Sequence, residues 1–242
     1  MTRLTIRFSL FRVPVSVHLS LWVMLLLLGG LLSVRTAEDL LHLLSFVIIA
    51  FLTLLLHEFG HALTGRALGG GCPSVTLAWL GGFCRNDEAN LSSREDLVMT
   101  AAGRPLFSLL PAGVTLLILL VSNLSFGGSI DPVLSAAAAT VLGHPLDSSL
   151  LPEVARGVAF AAEQSLQIPL WWALINLLPI HPLDGGQILL HCTRSERSTR
   201  CVSFVTATTA AIVFLVCGCW FFALLAGLMA LHHARVRRRP AR

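Results

Sequence analysis

Long apolar runs limit this chain more than any motif does. Residues 15–34, 40–68, 97–121, 157–178 and 201–234 are each at least 20 residues long, dominated by Leu, Val, Ile, Ala and Phe, and nearly free of charge. About 20 such residues cross the hydrocarbon core of a bilayer as a helix. In lipid a backbone has no water to bond with, so spanning segments close their hydrogen bonds internally. Composition agrees: 12% of the 242 residues are charged, about half the share of a soluble domain, which leaves too little polar surface to face water. The expected fold is therefore an all-α polytopic membrane protein. Its length suits a single membrane-embedded domain, residues 1–242.

Arginine placement sets the number of spans. All 17 basic residues are Arg. As one helix, residues 201–234 would be roughly 50 Å long against a core of about 30 Å. Two helices turning at Cys217-Gly218-Cys219 fit the thickness better. Six spans with both termini cytoplasmic put three N-terminal Arg, three after the second span, three after the fourth and five at the C-terminus on one side. Five spans would strand the C-terminal five outside, against the positive-inside rule. The 15–34 run exceeds a signal-peptide core and reads as a retained first span. The localisation expected is an integral membrane protein of a bacterial-type cell membrane, with the lipid bilayer as its surroundings. The Arg clusters are not interleaved with aromatics, so a nucleic-acid groove is excluded. None of the six Cys forms a CxxC pair, and they read as small buried hydrophobes.

Two stretches break the helical pattern. Gly69-Gly70-Gly71 and Pro73 stop the second run, and Val75 to Phe83 (VTLAWLGGF) is too short to span and reads as one or two strands. Residues 122–153 mix Gly, Pro, Ser and Ala and read as a loop, with a short helix over 134–142.

Chemistry enters at His57-Glu58-Phe59-Gly60-His61. On a helix, i and i+4 share a face one turn apart, so two imidazoles there can hold one zinc while Glu58 takes a proton from a zinc-bound water. The bland alternative is three polar residues facing a wet cavity. Placement inside an apolar run weakens it: an ionisable residue mid-helix costs about 2.5–3.5 kcal/mol on insertion scales, and such residues pair or serve function. A catalytic zinc wants a third protein ligand. The strongest candidate is Asp184, in the stretch Asn176-Leu-Leu-Pro-Ile-His-Pro-Leu-Asp184-Gly185-Gly186 at the end of the fourth span. Alone, such a Pro- and Gly-rich stretch reads as a turn. Inside a membrane, broken helices are tolerated where they line a cavity or are buried in protein.

Together, HEFGH and N-x-x-P-x-x-x-L-D-G resemble the site-2 protease family of intramembrane zinc metalloproteases (peptidase family M50), over about residues 40–190. The resemblance implies one Zn2+ per chain held by His57, His61 and Asp184, with Glu58 as general base. It implies that Asn176 helps hold the substrate strand or the oxyanion. The segment around Gly81-Gly82 resembles the family's extended strand beside the active site, an edge that can pair with an unwound substrate. The implied partner is a transmembrane protein substrate. Residues Gly103-Arg104-Pro105-Leu106-Phe107-Ser108 depart from the family's Gly-Pro-x-x-Asn. A polytopic transporter or metal-ion channel is the alternative use of the same His/Glu/Asp set. Transport needs a second row of intramembrane acids or His, and the spans offer only Glu163. His181, between two Pro, reads as a loop residue in preference to a group that supports a metal ligand, and His232 and His233 read as span-end or loop residues without a role.

Overall fold

A computed structural model of the chain describes residues 5–69, 73–79, 81–85, 107–125 and 153–237. Of the loop expected over 122–153, residues 122–125 and 153 are helical instead; the rest, with the short helix expected over 134–142, and most of the charged loop after residue 85 lie outside them. The described residues divide into two compact units at Ala173 and Leu174.

The first unit opens on a hairpin, not a span. Strands β1 (Thr5–Leu10) and β2 (Val13–His18) pair antiparallel. Helix α1 (Leu19–Leu28) follows and is only 10 residues long, with a 3-10 turn at Leu31–Ser33. The continuous first span expected over residues 15–34 is thus corrected: its first four residues are strand. The expected helical fold with a short strand segment holds in part: the sheet is larger than expected, because β1 and β2 add to it. Val13, Val15 and Val17 alternate with Pro14, Ser16 and His18, and that period of two suits a sheet with one buried face.

Helix α2 (Ala37–Ala67) fits its apolar run closely. A capping box starts it. Asp39 N–H donates to Thr36 Oγ1 at 3.1 Å, and Thr36 N–H donates to Asp39 Oδ2 at 2.9 Å. The Arg35 N–H also donates to Asp39 Oδ2, at 3.0 Å. These bonds, Arg35 first, hold the Asp39 carboxyl below its ordinary range. Gly69, at φ +93°, takes the chain out of the helix.

Strands β3 (Ser74–Ala78) and β4 (Gly81–Arg85) form the expected extended segment. The sheet order is β1-β2-β3-β4, with β2 parallel to β3 through the pairs Val15–Val75 and Val17–Leu77. That apolar face joins Leu54, Phe59 and Ala62 of α2 in one core. Helix α3 (Leu110–Ser125) packs on α2. Helix α4 (Glu153–Asn176) contains Pro169, and the unit boundary falls near its end.

The second unit holds α5 (Asp184–Thr193), α6 (Glu196–Val216) and α7 (Trp220–Arg237). The last apolar run is two helices, as its length demands. Gly218 sits at φ +74°. Cys219 N–H bonds Phe214 O at 2.8 Å and Gly218 N–H bonds Leu215 O at 3.1 Å, a Schellman closure. Buried Ala207 and Ala230 allow close helix approach. Cys192, Cys201, Cys217 and Cys219 are exposed, a correction to their expected burial.

Among the described residues, Ala37–Ala67 and Glu196–Val216 are long and apolar enough to cross a membrane, and Leu19–Leu28 and Trp220–Ala234 are shorter apolar helices. The molecule is mostly helical, with a small mixed sheet.

Candidate active site

His57 and His61 stand one turn apart on α2, 2% and 1% exposed, with Glu58 between them in sequence at 3%. The imidazole centroids are 5.7 Å apart, with planes at 88°. Two imidazoles binding one zinc at about 2.0–2.1 Å, tetrahedrally, put their centroids roughly 5–6 Å apart. The pair therefore fits a shared ion. Trp172 of α4 sets its ring edge-on to His57, with centroids 6.2 Å apart and planes at 85°. That contact went unseen in the sequence, because nothing local links positions 57 and 172.

Glu58 is held from the sheet side. Strand β4 packs on α2 and is the last strand in the sheet order. A Cβ added at Gly82 would overlap Cγ, Cδ and Oε1 of Glu58. Only glycine lets the strand lie this close to the carboxylate. Gly81 meets open space instead. The turn between β3 and β4 is tied to α1, where Trp79 N–H donates to Ser20 Oγ at 3.2 Å. The sequence marked both glycines as part of the strand segment, but not the different duties of the two.

In the second unit, Asn176 ends α4 and Asp184 begins α5, 8% and 1% exposed. At a helix N-terminus the peptide dipoles favour a carboxylate. Two glycines after Asp184 close the turn tightly. A Cβ on Gly185 would overlap the Leu177 carbonyl, and one on Gly186 would overlap the backbone of Ile180 and His181. Those contacts are with backbone, which cannot swing aside. The His181 peptide is gripped from α6 and α7: its N–H donates to Ser203 Oγ at 2.9 Å, and its carbonyl accepts from His233 Nε2 at 2.7 Å. Of the residues expected at the site, His57, Glu58, His61, Gly81 and Gly82 thus belong to the first unit, and Asn176 and Asp184 to the second.

Residues 45–217 match the sequence profile of peptidase family M50. Among solved structures, the fold is similar to that of a site-2 protease from Methanocaldococcus jannaschii. The TM-score is 0.56 at 20% sequence identity, covering 99% of this chain and 98% of that one. No curated protein matches the chain.

Proposed function

The chain belongs to peptidase family M50, and on that premise we propose that it is a zinc-dependent intramembrane endopeptidase, cutting peptide bonds in or near transmembrane segments of membrane protein substrates. One observation carries the proposal: a buried His-Glu-x-x-His lies inside a helix apolar and long enough to cross a bilayer. His57 is 10 residues from the Ala67 end of α2, roughly 15 Å along the axis and so about half the depth of a 30 Å core. Few uses of a bilayer's interior call for two imidazoles and a carboxylate at that depth.

In this reading His57, His61 and Asp184 hold the zinc. Two imidazoles and one carboxylate suit that ion and leave a coordination position open. The bound ion would polarise the scissile carbonyl and bring a water's pKa toward about 7. The chain's own groups do the rest. Glu58 accepts the water's proton and returns it to the leaving amine. Gly82 lets β4 run against Glu58, and the outer edge of β4, from Gly81 onward, offers backbone groups to a substrate segment that has left its helix. Pairing as a strand exposes a peptide bond that a helix would shield. Asn176 supplies an amide to the substrate backbone or to the charge that develops on its carbonyl oxygen.

The whole chain acts as one membrane-embedded domain. An arrangement with both termini cytoplasmic satisfies the Arg distribution. Water reaches Glu58 from that side.

The test is Glu58→Gln in purified full-length protein. It should keep its zinc and lose at least about 100-fold in cleavage of a membrane-embedded substrate. Undiminished cleavage would remove Glu58 from the mechanism.

A further inference from the structure

We infer that the α6–α7 hairpin is a two-point clamp on the Asp184 turn, with Ser203 and His233 as positioning residues for that carboxylate. This rests on the assignment of Asp184 as a metal ligand, and it adds to that assignment two residues that touch neither metal nor substrate.

The argument starts from the backbone. Residues 177–183 lie between α4 and α5 and belong to neither helix. Within a membrane protein such a stretch survives only if its N–H and C=O groups find partners in the protein. The neighbours of His181 bond locally: Ile180 N–H donates to Leu178 O and Leu183 N–H donates to Ile180 O, each at 2.7 Å. His181 does not bond within the turn. Its N–H goes to Ser203 of α6 and its carbonyl to His233 of α7. Both ends of one peptide residue are thus tied to two different helices.

Burial makes the ties expensive to break. Ser203 is fully buried and His233 is 3% exposed. Loss of either partner would leave a part-buried backbone group of His181 without its bond. The residue beside the clamp is anchored too: Ile180 packs into a cluster with Ala207 of α6 and Ala230 of α7. On the far side, Gly186 lies against the His181 backbone with no room for a Cβ. The His181 peptide is therefore wedged between the start of α5 and the hairpin, three residues before Asp184. A carboxylate that begins a short helix has its direction set by the turn that launches the helix, and this turn is held by α6 and α7.

His233 must carry its proton on Nε2 to donate to the carbonyl. Its ring stands edge-on to those of His181 and His232, with centroids 6.4 and 5.6 Å away. His233 also lies outside the 45–217 segment that matches the family, so family membership does not supply this role.

Zinc release from the full-length protein, followed with an excess of a chromogenic chelator, tests the clamp. Outer residues that orient metal ligands are worth about 10- to 100-fold in metal affinity. His233→Leu should speed release by about 10-fold or more. His233→Gln, which can present an N–H near the Nε2 position, should stay within about twofold of wild type. Ser203→Ala should speed release less, with Ser203→Thr restoring it. The decisive variant is Asp184→Ala/His233→Leu. A clamp that acts through Asp184 predicts release no faster than in Asp184→Ala alone, whereas general loosening of the fold would multiply the two effects. Multiplied effects, or wild-type release in both His233→Leu and Ser203→Ala, would overturn the clamp. Wild-type release in Asp184→Ala would instead overturn the ligand assignment beneath it.

Discussion

Replacing Gly82 with alanine should damage catalysis without disturbing the metal. The added Cβ would sit 2.5 Å from Glu58 Oε1 and closer still to Cγ and Cδ, whereas ordinary contact begins at 3.4 Å. Either β4 or the Glu58 side chain must yield by more than about 1 Å, a displacement that costs on the order of 100-fold in rate when it misplaces a catalytic group. Glu58 is 3% exposed and has no open solvent to swing into. A 100-fold loss corresponds to about 2.7 kcal/mol of transition-state stabilisation. His57 and His61 face no such intrusion, so zinc content should stay at the wild-type level. The assay is turnover of a fluorescent transmembrane reporter in proteoliposomes, with zinc measured by mass spectrometry on the same preparation. Gly113→Ala is the control, because its Cβ would meet nothing within 4 Å and α3 carries none of the proposed chemistry. Wild-type turnover in Gly82→Ala, or a loss wholly explained by missing zinc, would refute the idea that β4 sets the position of Glu58.

Gly186→Ala drives a Cβ into the His181 backbone. It should lower the thermal midpoint and deplete zinc together, at a cost of about 1–3 kcal/mol of stability; a stable variant with full zinc would contradict the turn geometry. The start of α2 should be sensitive to acid. Because its folded pKa is lowered, Asp39 contributes stability that is fully present above its unfolded value of about 3.9 and is lost as pH falls through the lower folded value. Amide exchange of the first turn of α2, corrected for intrinsic rates, should stay protected from neutral pH down to about 4 and open below it. Thr36→Ala should open the turn already at neutral pH. A first turn indifferent to both changes would remove the capping box from the account.

Much of this architecture could be read from local pattern. The 40–68 run became α2, and the His-Glu-x-x-His lay on it because i and i+4 share a helix face. The turn at Gly218 followed from a run too long for one crossing and a glycine suited to positive φ. The N-terminal hairpin was hidden for two physical reasons. Its turn residues, Phe11 and Arg12, adopt φ +49° and +65° without the Gly or Asn that ordinarily signals such a turn. The alternating valines of β2 also run straight into the leucines of α1, so period two and helix merge into one apolar stretch. The parallel pairing of Val15 with Val75 joins residues far apart in the chain, and no local signal encodes it. The site divides the same way. The placing of His57 and His61 on one face of α2 was legible from spacing. The Gly82 contact with Glu58, the Trp172 edge on His57 and the grip of His233 on His181 arise only when distant segments fold together.

X-ray absorption at the zinc edge, on full-length protein in detergent, tests the central claim most directly. Wild type should hold one zinc in a shell of two imidazoles, one carboxylate oxygen and one exchangeable oxygen. Asp184→Ala should lose the carboxylate contribution, bind zinc at least about 10-fold more weakly, and keep the two-imidazole signature when zinc is supplied in excess. A spectrum and affinity unchanged by Asp184→Ala, or a wild-type shell without two imidazoles, would contradict the account.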